Sequence, residues 1–82
     1  MTLEESCKII EGLLFASPQP LTIDEIAQII EIEPELIARL IARVKERYDD
    51  SGLMIRQVAG GYQFVTRQEL APWIDKLGRP IV

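Results

Sequence analysis

The chain has 82 residues and a mass of 9.3 kDa, so it can build one small core, and its hydrophobic content of 48% argues against disorder. With one cysteine and no histidine, it cannot form an internal disulfide or a Cys/His zinc site. The formal net charge of -4 disfavours direct binding to duplex nucleic acid, because such binding normally needs a basic face that releases counterions from phosphate.

The first residues do not resemble a signal peptide, since Glu4 and Glu5 interrupt the apolar pattern that such a segment requires. No apolar run approaches the roughly 20 residues needed to span a bilayer. The lone Cys7 suits a reducing compartment. We therefore expect a soluble, cytoplasmic protein without a membrane partner.

The first predicted element is a helix over Leu3–Ala16. Its apolar residues recur at helical spacing, with charged residues between them. The expected buried stripe consists of Leu3, Cys7, Ile10, Leu13 and Leu14. Pro18 and Pro20 stop this helix, and because proline also pushes the preceding residue out of the helical region, we expect an extended connector here.

Two further helices form a predicted helix-turn-helix. Thr22 and Glu25 have the spacing of a capping box, in which each side chain accepts a hydrogen bond from the other residue's backbone N–H. Pro34 suits the first position of a third helix, which continues to about residue 50. The few residues between the helices force a tight turn. We expect the two buried stripes to contain Ile23, Ile26, Ala27 and Ile30, and Leu36, Ile37, Leu40, Ile41, Val44 and Tyr48.

After residue 50 the sequence period changes from helical to extended, which predicts a β-hairpin with strands over residues 53–59 and 62–66. Gly60 and Gly61 would form its loop, where both central residues need a positive φ that glycine adopts easily. A short helix over residues 68–77 follows. The predicted fold class is therefore α+β, mostly α: a winged helix with a three-helix core, a hairpin wing and a short C-terminal helix.

The predicted hairpin has one face for the core and one for another contact. With Gly60-Gly61 as the loop, the cross-strand pairs are Ala59 with Tyr62, Gln57 with Phe64, and Ile55 with Thr66. The core face would carry Leu53, Ile55, Ala59, Tyr62 and Phe64. The opposite face would carry Met54, Arg56, Val58, Gln63 and Val65. Because that face is unusually apolar for contact with solvent, it predicts either a partner surface or packing under a helix or the tail, and the sequence leaves both open.

The sequence contains no convincing catalytic motif. A strand follows the Gly60-Gly61 pair, whereas a phosphate-binding loop needs more glycines and a following helix. Cys7 has no histidine to deprotonate it and lies on the predicted apolar face of the first helix. Neighbouring carboxylates such as Asp49 and Asp50 point in different directions on a helix. We therefore expect no enzyme activity, no cofactor, no bound metal and no small-molecule substrate.

A DNA-binding role is the alternative interpretation. Arg39, Arg43 and Arg47 follow one another at i, i+4 steps along the third helix, which has the recognition position of a helix-turn-helix. Acidic residues on the same helix balance them, and Glu35 occupies an early position that usually contacts bases. The alternative function is therefore a DNA-binding winged-helix transcription-regulator domain that uses the three arginines.

Two segments, "IIEGLLFASPQPLTIDEIAQII" and "VAGGYQFVTRQELAPWIDKL", resemble the N-terminal winged-helix domain of the ScpB family, the segregation and condensation proteins B of bacteria. The resemblance runs from about residue 8 to residue 77. Its most specific parts are the "LLFASPQPL" junction and the "VAGGYQFVTRQELAP" wing, whereas the helix-turn-helix between them is generic.

The resemblance implies a non-enzymatic accessory subunit of the SMC complex, which condenses and segregates bacterial chromosomes. ScpB-like proteins have two winged-helix domains, form homodimers largely through the first, and bind the kleisin ScpA, which joins the SMC heads. By this resemblance, residues 1–82 form a single winged-helix domain that corresponds to the first, and the second is not contained in this chain. The protein would be cytoplasmic and nucleoid-associated, and its association with DNA would be indirect through the complex.

Overall fold

The computed structural model describes residues 1–79 and contains three α-helices, a β-hairpin and a short helical C-terminal segment. The helices are α1 (Leu3–Ala16), α2 (Ile23–Ile30) and α3 (Pro34–Glu46). The hairpin strands are β1 (Leu53–Val58) and β2 (Gly61–Thr66). Within this described part, no helix is long and apolar enough to cross a membrane. The order of elements confirms the predicted winged helix, which is α+β and mostly α.

The N-terminus of α2 is fixed by the predicted capping box. The Thr22 hydroxyl accepts a hydrogen bond from the Glu25 N–H at 3.1 Å, and the Glu25 carboxylate accepts one from the Thr22 N–H, also at 3.1 Å. Glu31 ends the helix in the left-handed region, with a φ of 57°. Pro34 then begins α3, so residues 31–33 alone separate the two helices. The predicted tight helix-turn-helix is confirmed.

The hydrophobic core lies where the three helices meet the hairpin. Its buried members are Cys7, Ile10, Leu14, Ile26, Ala27, Ile30, Ile37, Leu40, Ile41, Val44 and Ile55. The helical members all come from the predicted stripes, because helical periodicity places them on one side of each helix. The other predicted stripe residues are partly buried against this core, namely Leu13, Ile23, Leu36 and Tyr48. Leu3, the first residue of α1, is 52% exposed, so the apolar stripe of α1 begins only at Cys7.

The turn of the hairpin consists of Ala59 and Gly60, one residue before the predicted Gly60-Gly61 loop, so that prediction is wrong. Val58 pairs with Gly61 across the turn. The φ angles are 47° at Ala59 and 82° at Gly60, as a primed two-residue turn requires. Gly61 is instead the first residue of β2.

A bridge to the connector before α2 fixes this register. The Leu21 N–H donates to the Tyr62 carbonyl at 2.9 Å, and the Tyr62 N–H donates to the Leu21 carbonyl at 2.7 Å. A Cβ atom on Gly61 would lie 2.9 Å from the Pro20 Cβ. The close approach of the connector therefore requires glycine at this position, and the sequence pattern of the hairpin alone does not reveal that contact.

The shifted turn leaves every residue that remains in a strand on its predicted face. Moving a two-residue turn by one residue displaces every cross-strand partner by two, and side chains alternate between faces with a period of two. The observed pairs are Ile55 with Phe64, Gln57 with Tyr62 and Leu53 with Thr66, in place of the predicted ones. Two residues predicted to cover the core are exposed: Ala59 lies in the turn, and Leu53 is 36% exposed at the start of β1. The other face carries Met54, Arg56, Val58, Gln63 and Val65, and we call it the hairpin outer face.

The predicted C-terminal helix is broken into three short pieces. Gln68–Leu70 and Asp75–Leu77 are 3-10 turns, and Ala71–Ile74 is a single α-helical turn, α4. Pro72 has no N–H to donate to the carbonyl four residues before it, so the segment cannot start as a regular α-helix. Gly78 ends the segment with a φ of 65°. The C-terminal segment packs mainly against its own turns, which leaves it at the margin of the domain.

Candidate interaction surfaces

The hairpin outer face is the first candidate surface. Met54 pairs with Val65 across it, and Arg56 pairs with Gln63. Arg56 is exposed, and the other four residues of the face, including Val58, are half-buried. The face thus combines accessible apolar side chains with one arginine, a composition common in protein interfaces. That these five residues bind a partner stays a prediction.

A groove lies between the C-terminal end of α1, the connector that follows it and β2. Its volume is about 770 Å³. Its lining consists of Leu14, Phe15, Ala16, Ser17, Pro18, Leu53, Arg56, Gln63, Phe64, Val65, Thr66 and Gln68. We call it the α1–β2 groove. Arg56, Gln63 and Val65 belong to both surfaces, so the groove is continuous with the hairpin outer face.

Phe15 stands at the rim of the α1–β2 groove and is 76% exposed. It lies off the buried stripe formed by Cys7, Ile10 and Leu14, so α1 presents an aromatic ring to solvent. Aromatic residues are enriched in protein interfaces relative to other surface. Phe15 is not among the residues that the sequence predicts for a partner surface, although an aromatic residue outside the apolar stripe of an amphipathic helix is a signal that can reveal one.

A smaller pocket of about 330 Å³ lies between α1, the end of α3 and the hairpin. Tyr48 packs edge-on against Phe64 in its wall, with ring centroids 5.0 Å apart and ring planes at 72°. The Tyr48 hydroxyl donates a hydrogen bond to the Glu11 carboxylate. This bond, together with burial, raises the pKa of the Tyr48 hydroxyl above its usual value. Near neutral pH the hydroxyl is therefore protonated. Its hydrogen bond to Glu11 connects α1 to the residues that follow α3.

The edge of β2 that faces away from β1 is only partly paired. Tyr62 uses both of its backbone groups to bond Leu21. Because alternate residues of an antiparallel strand direct their backbone groups to the same side, the N–H and C=O groups of Phe64 and Thr66 point the same way as those of Tyr62. Within residues 1–79, no backbone group outside the hairpin bonds them. This edge borders the α1–β2 groove, which Phe64 and Thr66 both line.

The three arginines of the DNA-binding alternative are exposed along α3 and at its C-terminus. Arg47 directly follows α3, and its guanidinium lies 2.7 Å from both carboxylate oxygens of Glu4. That exposed ion pair offsets the charge of Arg47. The basic line is thereby reduced to Arg39 and Arg43, which weakens the argument for a DNA-binding surface on α3.

Cys7 and the acidic side chains are spread over residues 1–79. Across residues 1–79, no three His, Cys, Asp or Glu side chains are grouped so that they could hold a metal ion. Cys7 is fully buried in the core, and Asp49 and Asp50 are exposed after the end of α3. The two surfaces described above, the hairpin outer face and the α1–β2 groove, consist mainly of apolar side chains and of backbone hydrogen-bonding groups at the edge of β2.

Comparison with known proteins identifies the family. The family described as segregation and condensation complex subunit ScpB matches residues 8–81 of this chain. The chain belongs to the ScpB family. It is 43% identical over 74 residues to segregation and condensation protein B of Symbiobacterium thermophilum, a match that covers 88% of this chain and 34% of that protein. The chain spans about a third of the length of this relative and of segregation and condensation protein B of Moorella thermoacetica.

Two solved ScpB structures share the fold. ScpB from Mycobacterium tuberculosis superposes with a TM-score of 0.88 at 25% identity, covering 100% of this chain and 55% of that one. A dimer of a ScpB N-terminal domain complexed with a ScpA peptide superposes with a TM-score of 0.84 at 26% identity, covering 92% of this chain and 96% of that one. These matches confirm the resemblance to the ScpB family that the sequence indicated.

Proposed function

We propose that this domain is a non-enzymatic assembly module of the bacterial SMC–ScpA–ScpB complex in chromosome condensation and segregation. It self-associates into a homodimer and binds the kleisin ScpA, and through ScpA it is linked to SMC. The observation that carries the proposal is the likeness to an isolated ScpB N-terminal domain that forms a dimer with a bound ScpA peptide. Residues 1–82 would form one winged-helix domain that corresponds to the first of two in ScpB. Such a role implies a cytoplasmic, nucleoid-associated protein.

The surface of the domain supports an assembly role. The hairpin outer face offers accessible apolar side chains for self-association, and the α1–β2 groove is continuous with it. The net charge of -4 opposes contact with phosphate, so association with DNA would be indirect. The names of the family and of its relatives refer to segregation and condensation, which agrees with a role outside catalysis.

Titration calorimetry with ScpA from the same organism tests the proposal. We expect a saturable complex between ScpA and the 82-residue chain. If ScpA does not bind, the proposed kleisin contact is wrong.

A parallel titration with duplex DNA at low and moderate salt tests the alternative. Micromolar DNA binding with a steep salt dependence, lost in Arg43→Glu, would instead favour the DNA-binding regulator. We expect no micromolar binding to duplex DNA, because the net negative charge of the chain opposes phosphate and Arg47 already forms an ion pair with Glu4.

A further inference from the structure

We propose that an extended segment of ScpA binds the free edge of β2 as an added strand and lays apolar side chains into the α1–β2 groove. This inference rests on the proposed function and assigns it a place on this chain. The partner segment would form main-chain hydrogen bonds with Phe64 and Thr66 and pack against Phe15.

The connector before α2 pairs with β2 only at Leu21, and the residues before Leu21 turn away from the strand. Continuing the antiparallel register from the bridge between Leu21 and Tyr62 would place Gln19 opposite Phe64. Gln19 does not form that pairing, because its backbone N–H and C=O both bond the side chain of Ser17 instead. The Ser17 hydroxyl donates to the Gln19 carbonyl at 2.6 Å and accepts from the Gln19 N–H at 3.3 Å.

This local turn leaves room for another strand. The neighbouring prolines, Pro18 and Pro20, have no N–H groups, so this part of the connector cannot form a regular ladder with β2. An extended chain rises about 3.3 Å per residue, so the edge from Phe64 to Thr66 accommodates a segment of about three residues. Addition of a strand to a free sheet edge is a recurrent mode of peptide recognition.

The lining of the groove indicates the chemistry of the segment. Phe15 and Phe64 offer aromatic surface beside the free edge, which favours apolar side chains at alternating positions of the partner. Arg56 is the one charged residue that lines the groove within residues 1–79. In a domain with a net charge of -4, this local positive charge favours an acidic side chain near the apolar ones. A peptide occupant also agrees with the ScpA peptide held by the related domain.

Amide hydrogen exchange of the 82-residue chain, alone and with ScpA from the same organism, tests the inference directly. We expect the amides of Phe64 and Thr66 to exchange at least about tenfold more slowly in the complex, because each would gain a hydrogen bond. The amides of Gln63 and Val65 point to β1 and serve as internal controls. If ScpA binds and the exchange of Phe64 and Thr66 is unchanged, the inferred site is wrong and the proposed function stands. If ScpA does not bind the wild-type chain, the proposed function itself is contradicted.

A matched pair of variants tests the apolar part of the site. Phe15→Ser removes the ring at the groove, and Ile29→Ser removes an apolar side chain that is 56% exposed on α2. We expect Phe15→Ser to weaken ScpA binding by about tenfold or more, and Ile29→Ser to leave it unchanged. Circular dichroism checks that both variants remain folded. If both variants bind ScpA with equal affinity, the inference is wrong. It is also wrong if Phe15→Ser abolishes the homodimer but still binds ScpA, and that result would assign the groove to a second copy of the chain.

Discussion

Gly61 lies where β2 comes closest to the connector before α2. A Cβ atom at this position would be 2.9 Å from the Pro20 Cβ and 3.1 Å from the carbonyl carbon and oxygen of Leu21. The backbone of Gly61 does not have a positive φ, unlike that of Gly60. The two adjacent glycines therefore have different roles: Gly60 supplies a turn conformation, and Gly61 permits close approach.

We predict that Gly61→Ala destabilises the domain by about 1–3 kcal/mol, because the added methyl group forces the connector away from β2. Gly12→Ala is the matched control, since a Cβ atom on Gly12 meets nothing within 4 Å. That change should stabilise the domain by up to about 1 kcal/mol through helix propensity. Urea unfolding measures both effects, and a Gly61→Ala variant as stable as the wild type would contradict the role given to the close approach.

Tyr48 contributes a hydrogen bond whose strength depends on pH. Its hydroxyl donates to the Glu11 carboxylate, and this bond raises the pKa of Tyr48 in the folded state. A raised pKa means that folding favours the protonated hydroxyl. The stabilisation is therefore complete below the unfolded-state pKa of about 10 and is lost as pH rises through the higher folded-state value.

We predict that Tyr48→Phe lowers the free energy of unfolding by about 1 kcal/mol at neutral pH, because the ring contact with Phe64 is kept and only the hydrogen bond is lost. The difference from the wild type should shrink above about pH 10. Tyr62→Phe is the control, since the Tyr62 hydroxyl forms no hydrogen bond within residues 1–79, and it should change stability little. Urea unfolding at neutral and alkaline pH measures these free energies. If the stability difference between Tyr48→Phe and the wild type is the same at all pH values, the hydrogen bond from Tyr48 to Glu11 does not have the stabilising role described here.

At the scale of elements, α2 depends strongly on its capping box. It has only 8 residues, and isolated helices of this length are not stable in water. We predict that Thr22→Ala lowers the free energy of unfolding by about 1 kcal/mol, because the Glu25 N–H loses its acceptor. Thr22→Ser keeps the hydroxyl and should stay within about 0.5 kcal/mol of the wild type. Thermal denaturation measures the effect, and equal midpoints for Thr22→Ala and the wild type would disprove it.

The elements that the sequence predicted well are those fixed by local signals. The bounds of α1 follow from helical periodicity and the prolines after it, and the start of α2 follows from Thr22 and Glu25. Local signals could not predict which two residues form the hairpin turn. The backbone hydrogen bonds between Leu21 and Tyr62 fix the position of the turn, and these two residues are distant in sequence. The hairpin outer face was predicted correctly in spite of the wrong turn, because face membership depends only on alternation along each strand.

The α1–β2 groove could not be predicted from local signals. It forms only when the end of α1, the connector and β2 come together, and its edge is free because Ser17 bonds Gln19 and thereby withdraws it from β2. Phe15 carried a recognisable sequence signal, but its place beside Phe64 depends on the packing of α1 against the hairpin.

At the scale of the whole molecule, the hairpin outer face should support self-association. We predict that Val58→Glu weakens the homodimer by about tenfold or more, because it places a charge in an apolar contact. Gln28→Glu adds the same charge at an exposed position on α2 and should leave the dimer intact. Sedimentation analysis of both variants makes the comparison, and an unchanged Val58→Glu dimer would show that this face is not the contact.

Sedimentation equilibrium of the wild-type chain, alone and with ScpA from the same organism, tests the assembly role most directly. At high micromolar concentration we expect a species of twice the 9.3 kDa chain mass, and a heavier complex when ScpA is added. A strict monomer that forms no complex with ScpA would contradict the proposal that this domain assembles the SMC complex.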